Sequence, residues 1–271
     1  MTINITGGGR EVLTAARTYY VRTDGSDSNT GLANTADGAF LTGQKAINVI
    51  AGTLDLNNYN VTVQFAAGTY TGTMQFYYPW VGAGTVTFLG DATTPTNVVI
   101  STTSAIGFDV WNKCVVTISG FKVQTTTGGS AVNVERGGVL SIVGLMEFGA
   151  AAGLAQLRVA TGAVCIVTGN YTISGAAARH IYVTQNGILT NGSKTITVSG
   201  TPAFSTAFIN VDIAGTAQCA TITFSGSATG SRYKVESNGV IYTAGAGTTY
   251  FPGDAAGTGT NSGTTPFGLY A

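Results

Sequence analysis

The sequence predicts an all-β chain wound as a single-stranded, right-handed parallel β-helix, a solenoid, with a short N-terminal capping helix. Three observations carry that expectation: a strand that recurs six times, small residues at a fixed offset behind it, and a composition rich in glycine and poor in charge.

The recurring strand reads Phe108-Asp109-Val110, Val132-Asn133-Val134, Leu157-Arg158-Val159, Ile181-Tyr182-Val183, Ile209-Asn210-Val211 and Tyr233-Lys234-Val235. Its valines are spaced by 24, 25, 24, 28 and 24 residues. Apolar and polar residues alternate at period two, which is strand spacing and not a helix face. A repeat of this length is one structural unit stacked on itself, because a unit so short cannot bury its apolar residues alone. Four residues after each valine stand Cys114, Gly138, Ala163, Gly187, Gly215 and Gly239, followed by Val115, Val139, Val164, Ile188, Thr216 and Val240. Small residues at one offset mark one turn made repeatedly. Short glycine-ended strands, Val116 to Gly120, Leu140 to Gly144, Cys165 to Gly169, Ile196 to Gly200 and Ile222 to Gly226, read as a second column in a common register.

In chain order, residues 1–18 read as an N-terminal extension or attachment segment, and residues 19–243 as the β-helix. Within 41–51, Ala46, Ile47 and Ile50 fall at helical spacing behind Thr42 as N-cap, so a short helix is expected to plug the first rung. Val61 to Phe65, Val86 to Phe88 and Val98 to Ile100 supply less regular early rungs. The long step between Val183 and Val211 implies a surface insertion near Asn191 to Lys194 or Thr201 to Ser205. Residues 244–271, rich in Gly and Thr with Tyr250, Phe251, Phe267 and Tyr270, form a C-terminal tail expected to lie on its own barrel or on a neighbouring chain.

Twelve basic residues balance twelve acidic ones, which leaves no charge excess for nucleic acid or an anionic membrane. No apolar run is long enough to span a bilayer, and no secretory leader is expected. Cys114, Cys165 and Cys219 lack metal-ligand spacing and read as reduced structural thiols. No cofactor is implied.

The stretch Thr18-Tyr19-Tyr20-Val21-Arg22-Thr23-Asp24-Gly25-Ser26-Asp27-Ser28-Asn29-Thr30-Gly31-Leu32, then Ala39-Phe40-Leu41-Thr42 and Gln44-Lys45-Ala46-Ile47, resembles the opening of pectin-lyase-like right-handed β-helix proteins. That superfold hosts lyases, hydrolases, adhesins and inert spikes, so the resemblance bears on fold more than on activity. Within it, the chain looks most like β-helix proteins of tailed bacteriophages and prophages: virion spikes, fibres or decorations, commonly homotrimers. The resemblance implies a virion-associated structural protein, located in the extracellular particle, with other virion proteins and host surface polysaccharide as partners. It leans against an enzyme, while a polysaccharide lyase or glycoside hydrolase, or a non-catalytic glycan-binding module, stays open as an alternative.

Outward positions of the recurring strand carry Asp109, Trp111, Asn133, Glu135, Gln156, Arg158, His180, Tyr182, Phe208, Asn210, Arg232, Lys234 and Glu236. Rings beside hydrogen-bonding groups suit a glycan groove, and the same set suits a subunit interface; Trp111, Glu135, Arg158, His180, Tyr182 and Phe208 are the candidates for either, beside an ordinary solvated face. Asp212 and Glu236 stack on adjacent rungs and are the candidate catalytic acids, since glycoside chemistry needs two carboxylates about 5 to 9.5 Å apart. His180, the one histidine, is expected at the surface or an interface. The acids of Asp24 to Asn29 lack EF-hand spacing and read as turn-capping groups and not as a calcium loop.

Overall fold

The computed structural model describes residues 9–259 and 267–271. Its strands pair in parallel and wind through about eight turns of a β-solenoid. Each turn contributes three strands. Val115–Ser119, Lys122–Thr125 and Val132–Val134 make one turn, and Val139–Ile142 begins the next. First-column strands form a ten-stranded sheet, and the second and third columns merge into a fifteen-stranded sheet. The merging strands are Met146–Ala151, Ala177–Val183 and Ala203–Val211. All six copies of the recurring strand lie in the third column, in the register Phe108, Val132, Leu157, Ile181, Ile209, Tyr233. Their apolar residues are buried as the alternation requires, each fully buried aliphatic contributing roughly 1.5–3 kcal/mol.

The expected second column is corrected in part. Val115–Ser119, Val139–Ile142 and Val164–Val167 do stack on one another, but Thr195–Val198 and Thr223–Ser225 belong to a different column. The first column continues instead through Ile188–Thr190 and Thr216–Gln218 to Gly239–Tyr242. Ser-Gly closes strands of both columns (Ser119-Gly120 in one; Ser199-Gly200 and Ser225-Gly226 in the other), so the string marks a strand end without saying which.

The small-residue column has a steric origin. A Cβ built on Gly138, Gly187 or Gly239 would stand 2.6, 2.4 or 2.4 Å from the carbonyl oxygen of Val110, Val159 or Val211, one rung back. Ahead of each small residue sit two residues of positive φ, such as Asn112 and Lys113, Gln185 and Asn186, or Ser237 and Asn238. A hydrogen bond such as Cys114 N–H to Trp111 O, 2.9 Å, closes the turn. Asn and Gly adopt this geometry readily, and β-branched residues such as Thr161 and Ile213 adopt it at a cost. Ile213 has φ 46° in one copy and is half exposed. Ile213→Asn is therefore expected to raise stability by roughly 1 kcal/mol through relief of left-handed strain, read as a higher denaturation midpoint. An unchanged or lower midpoint counts against the strain.

The N-terminal end is closed by the chain itself. The helix Gly43–Thr53 buries Ala46, Ile47 and Ile50, and its N-cap Thr42 accepts from Lys45 N–H through Oγ1 at 3.1 Å. Asp27 accepts from the backbone N–H of Leu41 and Thr42, which makes it a capping group of this entry. Arg10 Nη1 donates to Ala51 O and Leu54 O at the other helix end. Of the expected extension, residues 1–8 lie outside the described residues, while Glu11–Val12 pairs with Leu54–Asp55. At the C-terminal end Phe251 is buried in the core, and Gly268–Tyr270 adds the tenth strand of the first column; residues 260–266 lie outside the described residues.

Candidate functional site

The outward residues of the third column form a ladder along the solenoid: Gln75, Asp109, Asn133, Arg158, Tyr182, Asn210, Lys234. Strand pairing stacks these side chains about 4.8 Å apart, and Asp109–Asn133 and Asn133–Arg158 are joined by hydrogen bonds. Asp109 is the hub at the N-terminal end. Its Oδ1 accepts from Trp111 Nε1 at 2.6 Å and Asn133 Nδ2 at 2.7 Å, and its Oδ2 accepts from Tyr77 Oη at 3.1 Å. These side chains cover it to 3% exposure although it points away from the core. Burial raises the Asp109 carboxyl above its ordinary value, against the lowering effect of its three donors. Asn133 then accepts from Arg158 Nη1, which also donates to Glu135 at 2.6 Å. The Arg136 guanidinium caps the Trp111 ring at 4.2 Å, and the Tyr77 ring packs beside Trp111 at 4.9 Å.

Further along, Arg179 donates to Asn210 Oδ1 at 3.0 Å and covers the Tyr182 ring at 4.5 Å. Tyr182 Oη donates to Asp212 Oδ2 at 3.2 Å. Asp212 is largely buried, and its Oδ1 and the neighbouring Thr184 Oγ1 have no hydrogen-bond partner. Glu236 follows on the next rung, after paired Val211 and Val235, and is held by Lys234 Nζ at 2.8 Å. The two acids thus share a column in different settings: one faces a tyrosine hydroxyl, the other a cation.

Trp111, Glu135, Arg158 and Tyr182 occupy the outward face as expected. His180 and Phe208 do not: both are fully buried, and their assignment to the surface is corrected. Period two, extended backwards from Ile181 and Ile209, places them outside, but the long strands bend at this point and set consecutive residues inward. Ala207, Phe208 and Ile209 are all 0% exposed. Gly107, Ala131, Gln156 and His180 hold the same corner position in other turns, and Gln156 is also 0% exposed.

His180 anchors an internal polar chain. Gln156 Nε2 donates to Gly149 O and Gly175 O, so its Oε1 accepts from His180 Nδ1 at 2.7 Å. His180 Nε2 then accepts from Tyr171 Oη at 2.9 Å, and Asn191 Nδ2 donates to that same oxygen at 3.2 Å. Only the neutral imidazole suits this arrangement, and burial pushes its pKa down to about 3. Of the two places expected for a surface insertion, Asn191 to Lys194 is corrected, because Asn191 is fully buried and Lys194 nearly so, its Nζ donating to Val167 O and Gly192 O. Most of the extra residues fall instead near Thr201 to Ser205, where Val198 to Phe204 pairs with the shorter Ile173 to Ala177 and Thr201, Ala203 and Ser205 are exposed. Burial lowers the Lys194 ammonium to about 8 and raises the Cys165 and Cys219 thiols to about 12.

Tyr77, Tyr78, Arg136 and Arg179 escape the strand repeat because connectors or strand extensions supply them. The available signal is Phe76-Tyr77-Tyr78-Pro79-Trp80, aromatics crowded into a connection where loops ordinarily carry polar residues. Tyr78 is 75% exposed and borders a groove of about 750 Å³ with Arg10, Gln44, Asn48, Gln75 and Tyr77. The ladder and groove together form a strip of amides, guanidinia and aromatic edges suited to hydroxyl-rich ligands. Among the described residues, no three His, Cys, Asp or Glu side chains converge as a metal site would require.

Fold and face together define a parallel β-solenoid with an ordered polar and aromatic strip along one side. Compared with known protein families, curated proteins and solved structures, the chain matches none.

Proposed function

We propose that the chain is a structural component of a tailed-phage particle, a spike, fibre or decoration of the pectin-lyase-like β-helix type. In this reading it stands in the virion as a homotrimer beside other virion proteins and contacts host surface polysaccharide through the third-column strip. The observation that carries the glycan contact is the Tyr77–Trp111–Arg136 cluster fixed on Asp109, continuous with the groove beside Tyr78. Rings immobilised before binding lose little entropy on contact, and amide and guanidinium donors beside them match sugar hydroxyls.

The test is binding of defined bacterial capsular and O-antigen oligosaccharides by calorimetry. Wild type is expected to bind saturably, with at least tenfold weaker binding in Trp111→Ala and a smaller loss in Tyr182→Ala, where a tenfold loss is about 1.4 kcal/mol. Equal binding by all three proteins removes the glycan reading. Shortening of the oligosaccharide that stops in Asp212→Asn or Glu236→Gln establishes the enzymatic alternative.

A further inference from the structure

The third-column strip satisfies most of its polar groups internally, whereas the opposite kind of surface covers the first column. Its outward residues form two ladders. One runs Val115, Val139, Val164, Ile188, Thr216, Val240, Leu269 in unbroken register. The other runs Thr18, Thr62, Thr87, Thr117, Ser141, Ile166, Thr190, Gln218, Tyr242. Not one of these residues is charged, in a chain carrying 24 charged side chains. Arg17 begins this sheet, but on the inward phase and paired with Glu11. The charges sit on the other columns, as with Asp109, Arg158 and Lys234 on the third and the Lys122–Glu147 pair on the second, or on connectors, as with Lys113 at the margin of the face beside Val115 and Thr117. Val115, Ile166, Ile188, Tyr242 and Leu269 are each more than a third exposed.

We infer that this face is where copies of the chain associate, side by side and parallel, with their solenoid axes aligned. The inference rests on the homo-oligomer of the proposed function and names its surface. Three observations favour a second copy over another partner. A charge-free face has no electrostatic complement to seek, and it is complementary to itself. Its ladders repeat at the inter-strand spacing, about 4.8 Å, and another copy presents that same period. Its size is of the right order: ten strands span about 43 Å, and strands of three to five residues give a width of about 13 Å. The resulting plane of about 560 Å² is a large part of the roughly 800 Å² per partner of a standard interface.

The composition gradient sets the orientation. Apart from Thr216, the ladder from Val115 to Leu269 is Val, Ile and Leu, while the first three strands present Thr18, Tyr20, Thr62, Gln64, Thr87 and Leu89. An antiparallel overlap sets the apolar half against the threonine half. A parallel arrangement about an axis along the solenoid sets each rung level with the same rung of its neighbour, apolar levels against apolar levels and threonine levels against threonine levels.

The experiment is light scattering on the full chain, with Val139→Lys/Ile188→Lys as the disrupting pair and Thr197→Lys, outward on the second column, as control. Wild type and the control are expected to be oligomeric. The pair is expected to fall to the mass of one chain, 27.5 kDa, with an unchanged circular-dichroism spectrum, since both positions point outward. Val115→Cys provides a second readout that does not depend on disruption. Under mild oxidation a parallel contact joins the new cysteines to each other, with little background because all three native cysteines are buried. An oligomer that survives the lysine pair, or a Val115→Cys variant that never cross-links, overturns this surface while leaving the oligomer standing. A monomeric wild type overturns both. The oligosaccharide binding of Trp111→Ala tests the other face independently of either result.

Discussion

Stability is expected to fall by about 1.4 kcal/mol for each pH unit between 6.5 and roughly 3, because His180 is held neutral inside the solenoid. The unfolded chain takes up the imidazole proton near pH 6.5, whereas the folded chain resists it down to about 3. Across that window the unfolded state binds more protons, so acidification favours unfolding; above 6.5 the contribution is complete and constant. The resistance comes from the surroundings. Phe148, Phe204 and Phe208 pack around the ring, and Tyr171 Oη and Gln156 Oε1 already match its two nitrogens as donor and acceptor. Other groups titrate in the same region. Glu11, lowered chiefly by its hydrogen bond from Arg17, adds to acid lability below its unfolded value, while Asp109, raised by burial, opposes it just above its own. The check is denaturant unfolding at several pH values for wild type and His180→Phe. The variant is expected to start lower, since Tyr171 and Gln156 lose a partner at roughly 1–3 kcal/mol, yet to show a much flatter slope below 6.5. Equal slopes would remove His180 as the cause.

That His180 lies inside illustrates what the sequence makes legible. Strand period and turn chemistry are local, so the recurring strand, the small-residue turns and the Thr42-capped helix can be read without knowing neighbours. Ladder partnership is not local. Ile118-Ser119-Gly120 and Ile173-Ser174-Gly175 look alike and belong to different columns, because the turn chemistry that ends a strand is common to both. The corner position is legible only across copies: Gly107 and Ala131 occupy it where large side chains are absent, and Gln156, His180 and Phe208 where the interior has room for them. A polar residue in such a column looks like surface until its partners are known. The outward strip was readable as a set of residue types from Trp111 to Glu236. The order imposed on it by Tyr77, Arg136 and Arg179 was not, because those residues stand outside the repeated tripeptide.

Asp109→Ala is expected to cost about 3 kcal/mol and to abolish oligosaccharide binding together. The carboxylate takes three donors at once, and its removal leaves Asn133 Nδ2 buried without that acceptor and frees Trp111 and Tyr77 to rotate. Each orphaned buried group costs roughly 1–3 kcal/mol, and the Trp111 and Tyr77 hydroxyl and indole groups recover part of it by reaching water. The loss of binding follows from a different step: Arg136 stacks on Trp111, so a mobile indole disperses the cluster that the ligand meets. Asp109→Asn separates the acceptor from its charge. Its amide oxygen takes the place of Oδ1 and accepts from Trp111 Nε1 and Asn133 Nδ2, while its N–H donates to Tyr77 Oη. It loses only the charge, whose burial is unfavourable, so it is expected to keep both the stability and the order at Trp111 that Asp109→Ala loses. Indole fluorescence anisotropy and unfolding midpoints, measured on the same samples, distinguish these outcomes. Wild-type binding in Asp109→Ala would mean that the strip is not held by this hub, and the contact would then have to be sought in the groove beside Tyr78.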